Sequence, residues 1–254
     1  MRKTFTFDNI LSSDLGIYIN GAGAYNSPEP DLEYIKVPGR SGDLIYDNNR
    51  LKNFDLVYPA SFMLENFETN FQLLKQFLLT HKGYYRLEDD YHPGYFRMAS
   101  IDQGIDASKI DWVNGAGSFD LRFNCKPQLY DADSFTYVKK VTVTSGNSAI
   151  IYNRYLIPYH GGYTYLTGFP AKPRILAYGS GSFTVNDVTV TIAAHNYNHI
   201  EIDCELMDCF YQGNNCNSLV SFSKPKYPIL DKSSNSVSVS GLTKIEIFPR
   251  FWTV

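Results

Sequence analysis

No stretch of this sequence approaches the roughly 18 consecutive apolar residues that a membrane helix needs. The longest candidate, Leu56 to Leu64, is short and interrupted by Pro59. An apolar secretion-signal core is also missing, because Arg2 and Lys3 lead directly into the alternating run Thr4-Phe5-Thr6-Phe7-Asp8. The chain is therefore expected to be soluble, with no membrane partner. Cysteines number only four, at 125, 204, 209 and 216, and no Asn-x-Ser/Thr glycosylation sequon occurs. Free thiols are expected rather than a disulfide framework. Clustered Lys and Arg are absent too, which argues against a duplex-binding surface.

The signatures of catalysis and of cofactor binding are lacking as well. Glu88-Asp89-Asp90 is the densest acidic group, but in an extended chain Asp89 and Asp90 point to opposite faces, which suits a solvated loop before the His92-Pro93-Gly94 turn. Asp102, Asp106 and Asp111 lack the spacing and closing Glu of a calcium loop. His195 and His199 stand four apart, without the intervening Glu of a zinc-protease helix, in a segment that reads as a turn. The gaps between Cys204, Cys209 and Cys216 match neither a zinc ribbon nor a redox motif; Cys204 falls in phase with Ile200 and Ile202 and reads as core, and a Cys209–Cys216 disulfide has no support beyond their proximity in sequence. Gly21-Ala22-Gly23, Gly115-Ala116-Gly117 and Gly179-Ser180-Gly181 complete no phosphate-binding motif and read as turns. No enzyme activity, metal or cofactor is expected.

What the chain does contain is aromatic and turn-forming: 20 Tyr and 17 Phe beside 18 Gly and 12 Pro in 254 residues. That composition favours β-structure and its turns. Charge is unevenly spread. Residues 1 to 133 hold 13 basic and 19 acidic residues, net −6, whereas residues 134 to 254 hold 10 and 7, net +3.

Periodicity divides the chain in the same place. Phe5/Phe7, Ile17/Ile19 and Phe119/Leu121/Phe123/Cys125 alternate with polar residues as half-buried strands do, and residues 32–37 form a further strand between two Pro-Gly-rich turns. One helix is signalled over about 64–82: Leu64, Phe67, Phe71, Leu74 and Leu78 share a face, Glu65 and Glu68 suit its N-terminal dipole, and Lys82-Gly83 closes it. Pro127 interrupts the block, placing a boundary between about 127 and 137. Beyond it only short alternating runs recur, with Asn186-Asp187 a two-residue hairpin turn, as in an antiparallel sandwich. The expected fold is mainly β: residues 1–133 a β-rich domain with one packed helix, residues 134–254 a β-sandwich. Phe248, Phe251 and Trp252 read as anchors that dock the last strand into a core or an interface, and whether Ile245 to Val254 belongs to the second domain or returns to the first is left open.

Asp14-x-Gly16-Ile17, Pro28 to Glu33, Val37-Pro38-Gly39-Arg40-Ser41-Gly42-Asp43, His81-Lys82-Gly83, Tyr84 to Leu87, Gly117-Ser118-Phe119-x-Leu121-x-Phe123-x-Cys125-Lys126-Pro127 and Pro249-Arg250-x-Trp252 follow one another in a specific order. Over nearly the whole chain this set resembles the distal tail protein (Dit) family of long non-contractile-tailed phages (siphophages) of Gram-positive hosts. The resemblance implies a homo-hexameric ring formed by the N-terminal domain and a galectin-like C-terminal sandwich projecting outward. It implies a virion location at the distal end of the tail, after assembly in the host cytoplasm. Its implied partners are the major tail (tube) protein on one side and a tail-tip, tail-associated lysin or fibre protein on the other, with receptor-binding or baseplate proteins on the outer domains. DNA would pass through the central channel without specific binding. Six copies of a net −6 domain would put about −36 in one annulus, which would repel phosphates wherever it faces that channel. Within this frame Gly39, Arg40, Gly42 and Asp43 are candidate subunit-interface residues: the glycines permit close backbone approach, and the charges can bond across subunits. The alternative reading is a carbohydrate-binding, lectin-like host-adhesion module.

Overall fold

The computed structural model describes residues 2–21, 23–62, 67–106, 110–111, 116–159 and 162–254, with the main chain alone at 62, 67, 110–111, 116, 155–159 and 162–167. Among the described residues the chain is mainly β with one α-helix, and it divides into two compact units, residues 1–129 with Val254 and residues 130–253.

In the first unit an antiparallel sheet runs in the spatial order Ile10–Leu11, Phe5–Phe7, Tyr85–Asp89, Tyr95–Ser100, Ala116–Cys125, Phe54–Phe62 and Ile17–Ile19. The long pair at its centre aligns Phe119 with Ala60, Leu121 with Tyr58 and Phe123 with Leu56. All six of these side chains are buried, so the period-2 pattern read in the sequence is the inward face of the sheet. Helix Phe67–Thr80 lies over that face. Phe71, Leu74 and Leu78 are each at most 2% exposed and join the sheet residues in one core, with the Phe71 ring edge-on to Phe119 at 5.8 Å. Each such buried side chain contributes about 1.5–3 kcal/mol. Of the sequence's helix signals, Leu64 and Glu65 lie outside the described residues. Gly83, at φ +111, lets the chain reverse where a side chain would be strained.

Among the described residues, two six-stranded antiparallel sheets make up most of the second unit. One has the order Val141–Thr144, Lys244–Phe248, Arg174–Tyr178, Ile200–Asp203, Asp208–Tyr211, Asn214–Asn215. The other runs Gly162–Thr167, Ser148–Tyr159, Ser233–Ser240, Gly181–Val185, Val188–Ile192, Val220–Phe222. Their inner faces meet in a single core that includes Ile175, Ile202 and Ile245 from the first sheet and Val185, Val190 and Val237 from the second. Asn186, at φ +51, makes the two-residue turn between Val185 and Val188. Gly181 is required for a different reason: a Cβ there would sit 2.6 Å from the main chain of Gly241.

Strand Lys244–Phe248 lies between Val141–Thr144 and Arg174–Tyr178, inside the second unit. Arg250 N donates to Ser134 O, Asp131 N donates to Phe251 O, and Trp252 stacks on Phe169 at 4.3 Å while its Nε1 donates to Pro170 O. The aromatics at the end of the chain are thus anchors in this unit.

Candidate assembly surface

Strands Pro30–Ile35 and Leu44–Leu51 form a separate two-stranded antiparallel ribbon, which pairs with no other strand among the described residues. Polar bonds hold its base: Lys52 N donates to Glu29 O at 2.8 Å, Arg50 Nε meets Asp31 at 2.6 Å, and Asn48 Nδ2 donates to Glu33 at 3.2 Å. Beyond that base the ribbon is apolar. The register Tyr34↔Ile45 puts these two on one face, and Ile35↔Leu44 with Glu33↔Tyr46 puts Ile35, Leu44 and Tyr46 on the other. All five are between 41% and 63% exposed. A two-stranded ribbon is at best marginal alone in water, and five large apolar side chains grouped on its two faces are unlike the singly scattered ones of an ordinary surface.

The connection at the tip is the Val37 to Asp43 segment singled out in the sequence. Gly39 and Gly42 have φ of +79 and +83, with nothing within 4 Å of where a Cβ would stand. Arg40 N donates to Val37 O. The Arg40 and Asp43 side chains are exposed and have no ion-pair partner among the described residues. The glycines serve the turn, and the two charges are left facing outward.

Several of the groups weighed for chemistry take part in packing and hydrogen bonding. Asp89 is not solvated: its side chain is 6% exposed, accepts from Tyr58 Oη at 2.5 Å and from the main-chain N–H groups of Tyr91 and His92 at 2.8 Å, and lies 3.0 Å from His92 Nδ1. Burial opposes its charge, but the hydrogen bonds from His92 and Tyr58 outweigh it and hold the carboxyl below its ordinary range. Burial, then the Asp89 charge, pushes the Tyr58 hydroxyl well up. Arg97 is buried in the same sheet with Nε and Nη1 unbonded, and burial lowers its pKa. Asp89→Asn is expected to cost about 1–3 kcal/mol, because the amide cannot accept all these donors. A depressed folded pKa makes this contribution complete above the unfolded value of 3.8 and lost as pH falls through the folded one. In thermal melts the gap between wild type and variant should therefore close as pH falls below 3.8; a gap that widens there would contradict the assignment.

All four cysteines are free and buried, and burial raises Cys125 to about 12 and Cys209 to about 11. Cys209 and Cys216 are linked by a main-chain hydrogen bond of 2.7 Å and not by a disulfide. His195 Nε2 lies 3.1 Å from Gly179 O and its Nδ1 accepts from Tyr197 N; His199 packs between the rings of Tyr178 and Tyr211. No cluster of three potential metal ligands occurs among the described residues. Asp102 and Asp106 are exposed, while the Asp111 side chain, Ala22 and Gly115 lie outside the description.

No protein-family model and no curated protein matches the chain. Solved structures do. The chain is similar to the SPP1 Dit protein, described as a paradigm of the hub adsorption apparatus in phages infecting Gram-positive bacteria, with a TM-score of 0.66 at 13% identity over 97% of this chain and 98% of that one. It is also similar to a chain of the phage P2 baseplate in its activated conformation with Ca (TM-score 0.54, 13% identity, 97% of each chain) and with Sr (0.55, 14%, 99% and 98%). Over nearly its whole length, this chain has the mainly β fold of the Dit-like hub proteins of phage baseplates.

Proposed function

We propose that the chain is a structural hub of a phage tail tip, in which six copies close a ring through the first unit. The observation that carries this reading is the ribbon of residues 30–51, which exposes apolar side chains on both faces and pairs with no other strand among the described residues. A neighbouring copy that covered it would supply the missing burial and repeat the same contact around an axis. The ring joins the tail tube protein to a tail-tip, lysin or fibre protein, DNA passes through its channel without specific binding, and the second unit offers docking surface to receptor-binding or baseplate proteins. The protein acts by shape and oligomeric closure, without catalysis or cofactor, in the virion after assembly in the host cytoplasm. The fold shared with hub proteins supports this role.

Native mass measurement of the purified protein, alone and mixed with tube protein, tests it: a hexamer in either condition is expected, and a monomer in both would end the proposal. The tip contributes charge-assisted contacts in this scheme. Arg40→Ala and Asp43→Ala should each weaken the ring by about 1.5–3 kcal/mol per interface without altering the monomer's melting temperature. Unchanged assembly on light scattering would remove the tip from the interface.

A further inference from the structure

The second unit carries a groove of about 770 Å3 along the open edge of its sandwich. Val220, Phe222 and Tyr227 line it together with Cys204 and Met207, from the turn that follows strand Ile200–Asp203 of the other sheet. The Phe222 and Tyr227 rings pack at 4.4 Å, and Met207 in the lining is 64% exposed. Among the described residues, strand Val220–Phe222 is the terminal strand of its sheet and pairs only with Val188–Ile192.

The register decides what that edge offers. Ser223 N donates to Thr189 O and Ala193 N donates to Leu219 O, so residues 219, 221 and 223 face the inner strand. In an antiparallel ladder the alternate residues then turn their main-chain groups away from it. Val220 N–H is bonded to Asn217 O. Phe222 N–H, Phe222 C=O and Val220 C=O are left on the open side, spaced as an incoming strand would need them. The rim is basic: Lys224 and Lys226 both reach the single carboxylate of Asp187 at 2.5 and 3.0 Å, and Lys172 meets Glu205 at 3.4 Å. Three ammonium groups face two carboxylates at the rim, and the Asp208 charge acts on Tyr227 behind it.

We propose that this edge is a docking site for an extended segment of another protein, with apolar residues at alternate positions and acidic residues flanking them, which adds to the sheet as a seventh strand. Main-chain bonds to Phe222 and Val220 hold the segment, alternate side chains enter the groove, and the lysines select the flanking acids. This deepens the docking role proposed for the second unit and rests on that reading only for the partner's place in the tail.

The test is panning of a random dodecapeptide display library on the intact protein, followed by synthesis of the selected sequences. Alternating apolar sequences flanked by Asp or Glu should be enriched. N-methylation of the peptide nitrogens on the bonding edge should weaken binding at least tenfold, and methylation on the opposite edge should not. Bound peptide should slow hydrogen exchange at the Phe222 amide at least tenfold, and Lys224→Glu/Lys226→Glu, both exposed, should weaken binding at least tenfold. Failure to select such sequences, insensitivity to methylation, or unchanged Phe222 exchange would overturn the proposal. Saturable binding of host wall polysaccharide that excludes the peptide would replace it with a sugar site. Repeating the panning on Ile45→Asp separates the two readings, since this site should survive loss of the ring.

Discussion

Ile45→Asp is expected to abolish ring formation while leaving the folded monomer intact. Ile45 is 63% exposed on the distal half of the ribbon, opposite Tyr34, so its replacement removes only the smaller, covered part of its surface from intrachain contact. Surface changes of this kind shift stability by about 0.5 kcal/mol or less. In a ring the same side chain is covered, and each lost burial costs about 1.5–3 kcal/mol. Over six identical interfaces that sums to about 9–18 kcal/mol before the carboxylate's own desolvation is counted. Light scattering should show monomer at concentrations where wild type is hexameric, with superimposable circular dichroism and melting curves. Ile35→Asp, on the other face, tells whether one or both faces are covered. A hexamer that survives both substitutions would show that the ribbon is not the ring contact.

The second large effect lies in the other unit. Arg250→Ala should cost about 3 kcal/mol, the lower end for breaking a buried ion pair, because Arg250 keeps 16% exposure. Its guanidinium is bidentate to Asp203, Nη1 to Oδ1 at 2.8 Å and Nη2 to Oδ2 at 2.7 Å. Without it, a carboxylate 6% exposed is stranded beside the core, still accepting from the Glu205 and Leu206 main-chain N–H groups. Arg250 sits at φ +55, a conformation that costs a non-glycine residue about 1–2 kcal/mol and that the ion pair helps to offset. Burial works against the Asp203 charge, but the Arg250 hydrogen bonds outweigh it and hold its pKa below 3.8. The pair's contribution is therefore present above that pH and lost as pH falls through the lower folded value. The deficit of Arg250→Ala in urea unfolding should be flat near neutrality and shrink in acid. Adding Asp203→Ala should recover part of it, since no unpaired charge then remains. A double variant no more stable than Arg250→Ala would show that the loss comes from packing.

How these features were legible in the sequence differs from residue to residue. Phe119, Leu121 and Phe123 alternate, and Phe71, Leu74 and Leu78 recur at helical spacing, because burial on a regular element imposes that element's period on the chain. The turn at Asn186-Asp187 and the reversal at Gly83 were readable because positive φ restricts residue choice. The Val37 to Asp43 turn was visible for the same reason, but not that the strands on either side expose Tyr34, Ile35, Ile45 and Tyr46: an apolar run looks alike whether it is covered or bare. Asp89 read as solvated, yet it is buried because Tyr58, 31 positions away, brings a hydroxyl to it. Arg250 and Asp203 are 47 positions apart and carry no local signal of their pairing. By itself the sequence determined the β-rich character, the helix and the turns, all consequences of local backbone sterics and of burial repeated along one element. Only the tertiary structure decided which strand is left at an edge, which charges meet and which apolar faces stay uncovered, because those depend on groups that the chain brings together from far apart.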